Sequence, residues 1–381
     1  ILMPVIIFQM TMCRKAYDPP VIKASNHFIA IDGLINTGTN GTTSITINRS
    51  LNLQDTVPNI PELNCTVLIQ SETGAIIPLV DTGANGVYLS APLNLDPSVK
   101  YQVSVTNSDG KRYKADFVLP KASPPIDSIT WQLINDPLTA AQAVNIYVNA
   151  HDPSNNTRYY RWDYLETYQH RSTLESSWYI QNSLINPITD PSQSVYNCWS
   201  TAHSSQILLG TSAALSSDVI SQALLASFAQ NDPRMDVDYS ILVRQYPLDL
   251  NAYKYWLTVK KNSQTLGGLF DLQPSQIKGN VRGITNPNDP VLGYVSASSI
   301  SEQRLFINNN SLGWKSNPFL NCPVSIIPTD PTNTLSWNYQ DTSYGVYYFN
   351  SGNPPTINIA HNECLDCRYQ GGTNLKPSFW Q

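Results

Sequence analysis

The chain has little charge, little histidine and no long apolar run. Asp, Glu, Lys and Arg together supply 13% of its 381 residues, about half the usual share. The formal net charge is −5, and the basic runs are two residues long. Proteins that grip nucleic acid cluster Lys and Arg against the phosphates, so nucleic acid is not an expected partner. No apolar stretch reaches the roughly 20 residues that a membrane-crossing helix needs. The chain has five His and contains no Gly-rich phosphate loop, GxGxxG, HExxH or GxSxG. Nucleotide and zinc-protease chemistry therefore have no motif to stand on, and neither a cofactor nor a metal is expected. Asp163 and Glu166 are three residues apart on a strand, hence on opposite faces, and do not make the facing carboxylate pair of a glycosidase. His151-Asp152 ends a strand and enters a turn, where Asp ordinarily caps its own backbone. Asp152, Asn155 and Asn156 hint at a calcium loop but lack its ordered carboxylate series.

What the chain does have is 41% hydrophobic residues, with 27 Pro, 21 Tyr and 8 Trp. That is enough apolar material for real cores, and the length fits two or three domains. Asn, Ser and Thr carry most of the polarity, as in many exported β-rich proteins.

The amino terminus is uncharged and apolar through Met12, then reaches Cys13 followed by Arg14, Lys15 and Pro19-Pro20. Twelve residues match the hydrophobic region of a clipped signal peptide better than a buried first strand. The layout is that of a bacterial lipoprotein. Residues 1–12 are the truncated signal, Cys13 is the acylated first residue, and 13–26 form a lipidated tether stiffened by its prolines. With Cys13 set aside, Cys65, Cys198, Cys322, Cys364 and Cys367 remain, an odd number. Export favours pairing among them. Cys364 and Cys367 also have the spacing of a redox pair, or of half a zinc site with Cys322 and His361. Cys65 lies in an apolar strand run and is expected to be buried and unpaired.

Seven short strands divided by turns fill residues 27–120, which reads as an immunoglobulin-like β-sandwich. Residues 121–126 form a Pro-rich linker. Residues 127–381 read as a second, fibronectin-III-like β domain with one or two inserted helices and a tail tied down by disulfides. The fold class is mainly β. Asp249–Asn262 is the best helix, with Asp249 as its cap and Tyr253, Trp256, Leu257 and Lys260 on one face. Ala214–Phe228 also carries apolar residues at helical spacing. On the strand 158–168, Tyr160, Trp162, Tyr164 and Tyr168 share a face. That face is either sandwich core or a surface platform that stacks sugars or anchors a protein partner.

The ending Cys364-Leu-Asp-Cys-Arg-Tyr-Gln-Gly-Gly-Thr-Asn-Leu-Lys-Pro-Ser-Phe-Trp380 is distinctive. It resembles the carboxyl-terminal signature of a Bacteroidota family known as domain of unknown function 4249. Pro124-Pro-Ile-Asp-Ser128, His151–Trp162, Asn197-Cys-Trp199, Tyr239–Tyr246 and Gln273-Pro-Ser-Gln276 are similar to that family as well. The resemblance implies an outer-membrane lipoprotein, often encoded beside TonB-dependent transporters, with no established activity and no catalytic residues to carry over. It matches Cys198, Cys322, Cys364 and Cys367 to family positions and so implies two disulfides, with their connectivity open. The expectation is a non-enzymatic lipoprotein, anchored at Cys13 and on the cell surface in preference to the periplasmic face. It would serve as accessory or binding subunit of a TonB-dependent barrel. A stand-alone glycan- or peptide-binding module is the alternative, and an unrecognised hydrolase the third.

Overall fold

A computed structural model of the chain describes residues 27–51, 56–57, 59–135, 141–181, 184–264, 278–314, 321–328, 343–353 and 355–380. Cys13, the signal and the tether lie outside these residues. The molecule is mainly β and is organised as sandwiches.

In the first sandwich the strand Ile29–Asn36 pairs antiparallel with Ser44–Arg49, and Thr66–Ser71 pairs with both Ile76–Asp81 and Tyr101–Thr106. Alternation at period two sends Ile31, Ile45, Ile47, Val67, Ile69 and Val103 inward, each at most 1% exposed. The sheet does not end at Pro120. Val291–Leu292 and Val295–Ser298 run parallel to the first strand, and Val281–Gly283 closes the far side against Arg112–Ala115. A boundary at 120 therefore omits three of the sandwich's strands. Their short runs gave no sign of which sheet they join, because pairing partners far apart in sequence leave no local pattern. The Pro-rich linker is likewise part of the structure. Lys121 exchanges backbone bonds with Ala297 and Ser299, and the Ser123 amide donates to Ser299 Oγ at 2.8 Å.

In the second sandwich a three-stranded sheet, Val219–Ala229, Gln142–His151 and Ile126–Asn135, faces a larger one. The larger sheet is built around Tyr159–Arg171 and Asp238–Leu248, with Asn197–His203, Leu208–Thr211 and Ser301–Asn308. The helical pattern at 214–228 turns out to be a strand. Its register shifts twice against Gln142–His151, and Gln222 has a left-handed φ of 50°. The bulges place Ile220, Leu225, Ala226 and Phe228 inward, so an interrupted period of two imitated a period near 3.6. Helix α1 (Leu250–Gln264) forms where expected, and Asp249 Oδ1 accepts from the Ala252 amide at 2.7 Å. Its buried face is centred on Ala252 and Tyr255, about one position round from the face expected.

Asp32, on the first strand, joins the two sandwiches. Its carboxylate accepts from the Tyr294 amide at 2.9 Å and from the Tyr255 hydroxyl of α1 at 3.3 Å. Burial pushes its pKa up, against the pull of those two hydrogen bonds.

Candidate functional site

Of the two readings of the aromatic face on 158–168, core is the one that holds for Tyr160 and Trp162. Tyr160 is 0% and Trp162 2% exposed, with rings stacked at 5.6 Å. Tyr164 and Tyr168 are partly buried against the same cluster. The three-stranded sheet covers Tyr160 and Trp162, so no ligand stacks on these two rings. Each buried polar tip has a partner, as burial demands. Trp162 Nε1 donates to Gln245 Oε1 at 3.0 Å, and the Tyr160 hydroxyl donates to Asp218 Oδ2 at 2.5 Å. Asp218 also accepts from the Ser212 hydroxyl and the Asp152 amide. Asp152 is the turn cap expected of it, accepting from the amides of Ser154, Asn156 and Thr157. Its oxygens are thus filled by donors. Among the described residues no group of three or more His, Cys, Asp or Glu is placed to hold a metal ion. His151 instead pairs with Asp127 at 2.8 Å on the surface.

Aromatic side chains that solvent can reach line a cleft of about 620 Å³ near the carboxyl end, where Trp178, Tyr179 and Tyr344 are half-buried and Tyr369 is exposed. One wall is the short strand Trp178–Gln181, hairpinned to Leu184–Pro187. The other is Tyr344–Asn350, the edge strand of a three-stranded sheet with Thr356–His361 and Ser325–Pro328. The end is closed by the turn of helix Asn362–Leu365 and the 3-10 turn Cys367–Gln370 after it. Trp178, Tyr179, Tyr344 and Tyr369 line the cleft, with Gln193, Asn362, Asn374 and Arg368 among its polar groups. Tyr369 is 63% exposed. Tyr344 is held by its ring contact with His361 at 4.1 Å, and Trp178 by Phe349 at 5.3 Å. A side chain at Gly345 would come within 2.8 Å of Asn362 Oδ1 and 3.0 Å of Leu365 Cδ1, so the ends of those two side chains would have to shift to admit one.

Two disulfides fix the cleft. Cys198 pairs with Cys367 and Cys322 with Cys364. The CxxC cysteines therefore face different partners, which removes both the redox-pair and the zinc readings. Cys65 is free and buried, as expected. Leu365 and Asp366, between the two staples, form part of the lining. Asp366 takes a two-point grip on Arg368, at 2.9 Å to Nε and 2.7 Å to the terminal nitrogen. That hydrogen bond raises the guanidinium pKa further and orients its plane at the cleft. Asn374 reaches back to the carbonyls of Ser192 and Ser194 at 3.2 and 3.1 Å.

The chemistry on offer is stacking and hydrogen bonding. The Ser176 hydroxyl donates to the Val346 carbonyl at 2.6 Å and is thereby tied down. Among the described residues the lining contains neither His nor a free thiol, and the Asp366 carboxylate is spent on Arg368. An activated nucleophile needs a base within reach, and this lining supplies none.

The protein-family model described as domain of unknown function (DUF4249) matches residues 14–304. The chain belongs to this family. The match covers both sandwiches and one wall of the cleft, while Tyr344, Arg368 and Tyr369 lie beyond it. No curated protein matches the chain. Among solved structures, a two-domain fibronectin type-III segment from chicken tenascin is similar over 57% of this chain and 90% of its own, at 12% identity and a TM-score of 0.16. A likeness that loose adds nothing to the fold, which rests on the sheets themselves.

The sequence reading missed the cleft aromatics because they sit on short elements. Trp178 and Tyr179 fall in an irregular stretch that shows no periodicity of its own. One signal was present. The carboxyl-terminal motif places Arg368 and Tyr369 directly after a cysteine, which is where a staple would hold them.

Proposed function

We propose that the protein is a non-enzymatic outer-membrane lipoprotein, anchored through Cys13, that acts as binding subunit of a TonB-dependent transporter. The observation that supports binding is the stapled cleft. Its aromatic side chains are half-buried or, at Tyr369, exposed, its volume of about 620 Å³ is in the range of ligand sites, and the Arg368 guanidinium is held in place from behind by Asp366. Loops and short elements carried on rigid sandwiches are the usual place for such work. The envelope address rests on the apolar run ending at Cys13 and on the resemblance stated above. Several acyl chains at one cysteine hold a protein to a membrane where a single chain would be marginal.

The test is a gentle-detergent pull-down of the tagged protein from its own outer membrane, followed by mass spectrometry. The expected result is a TonB-dependent barrel in stoichiometric amount, and release of the Cys13→Ala variant from the membrane fraction. A protein that emerges alone, yet lipidated at Cys13, overturns the transporter assignment. The cleft itself favours one second reading, a stand-alone module for glycans or peptides, because aromatic rings flanked by planar amides suit both. Glycan and peptide arrays would then identify the ligand.

A further inference from the structure

A second cleft, of about 640 Å³, opens where the two sandwiches meet. One side is the extended segment Asp116–Leu119 that follows the strand Arg112–Ala115. The other is the first half of α1, and Lys278–Asn280 completes the rim. Its hydrogen-bonding capacity is lopsided. The carboxylates are committed: Asp116 pairs with Arg282 at 2.5 Å, and Asp249 caps α1. The Asn280 amide is used twice by the backbone of Val295, at 2.8 and 2.9 Å. The Tyr255 hydroxyl is spent on Asp32, and the Thr258 hydroxyl donates to the Lys254 carbonyl. Lys254 and Lys278 are exposed on two sides of the cleft, and neither forms an ion pair among the described residues. Among the described lining residues the unspent charge is therefore cationic, with the Asn251 amide beside it.

The same cleft has an apolar wall. Phe117 and Leu119, two residues apart on an extended segment, project the same way and are 44% and 55% exposed. Large apolar side chains left in water at the rim of a domain junction mark a contact surface when they come together with convergent polar groups.

We propose that this cleft binds an organic anion with an apolar body, its charged head between Lys254 and Lys278 and its body against Phe117 and Leu119. The site is independent of the disulfide-stapled cleft. It is tested on the full chain by isothermal titration with hexanoate, its neutral counterpart hexanamide, and inorganic phosphate. Hexanoate binds most tightly. Replacing both lysines (Lys254→Gln, Lys278→Gln) weakens it roughly tenfold, about threefold for each exposed charge, and the loss shrinks as salt is added. Phe117→Ser with Leu119→Ser weakens hexanoate and leaves phosphate unchanged. All four side chains are exposed, so unaltered melting temperatures separate these effects from misfolding. No hexanoate binding, equal affinity in the double lysine variant, or phosphate binding as tightly as hexanoate would each overturn the proposal.

Discussion

The first sandwich and the carboxyl-terminal region solve the same stability problem in different ways. In the first, Ile29, Ile31, Ile35, Ile45, Ile47 and Ile69 join Val67, Val103 and Val105 in one continuous aliphatic core, and its single cysteine stays a buried thiol. Among the described residues around the stapled cleft the buried apolar side chains form two small groups, one of Ile185, Val346, Ile357 and Ile359 and the other of Ala360, Cys364 and Leu365. A core that small removes too little surface from water to hold its own walls. Covalent ties replace it, and both ends of the CxxC segment are used. The cleft lies where packing is thin and cross-links are dense, so its shape depends on the disulfides more than on burial.

The sharpest way to break this comparison is to remove a cysteine from each region. Replacing Cys198 and Cys367 together by Ser is expected to cost about 4 kcal/mol, because the bond joins positions 169 residues apart and long closed loops restrict the unfolded chain most. Hydrogen exchange should rise around 321–328 and 343–374 while the strand Ile29–Asn36 keeps its protection. Cys65→Ala should cost about 1 kcal/mol, the loss of a small buried group, with no change at the cleft. Equal exchange in both regions of the serine variant would contradict the division.

A smaller effect is expected at the junction between the sandwiches. Asp32 has a folded pKa raised chiefly by burial, so the folded state holds its proton more tightly than the unfolded chain does. Its contribution to stability is then complete below the ordinary Asp pKa and is lost as pH rises through the raised value. Asp32→Asn keeps an oxygen for the Tyr294 amide and the Tyr255 hydroxyl but removes the buried charge. Its melting temperature should match wild type in acid and exceed it increasingly towards neutral pH. A variant less stable than wild type at neutral pH would show that the charge itself is needed there.

The same comparison explains what was legible in the sequence. The first sandwich could be read because runs such as Thr43-Ser-Ile-Thr-Ile-Asn-Arg49 alternate cleanly and turn residues separate them. The cap Asp249 and the helix after it were legible for the same reason, a complete local pattern. Residues 281–298 were not, since strand partners more than 150 residues away leave no local trace. Residues 219–229 misled because two bulges broke the alternation. The aromatic face of Tyr160 and Trp162 was readable as a face but not as core, since one strand cannot show what covers it. The cleft was hidden most deeply, because short strands held by disulfides need neither periodicity nor propensity. The family resemblance found its four cysteines, and only the structure pairs them.

The central claim is that the stapled cleft is where this protein holds its partner or ligand. Its most direct test is the outer-membrane pull-down repeated with Tyr179→Ser and Tyr369→Ser combined. Exposed side chains away from a core change stability by only about 0.5 kcal/mol, and Tyr369 is exposed whereas Tyr179 is half-buried, so the melting curves of the double variant and of Tyr369→Ser alone separate loss of the partner from loss of fold. The account predicts that whatever co-purifies with the wild-type chain is lost from this variant. The same partner recovered in the same amount would contradict it.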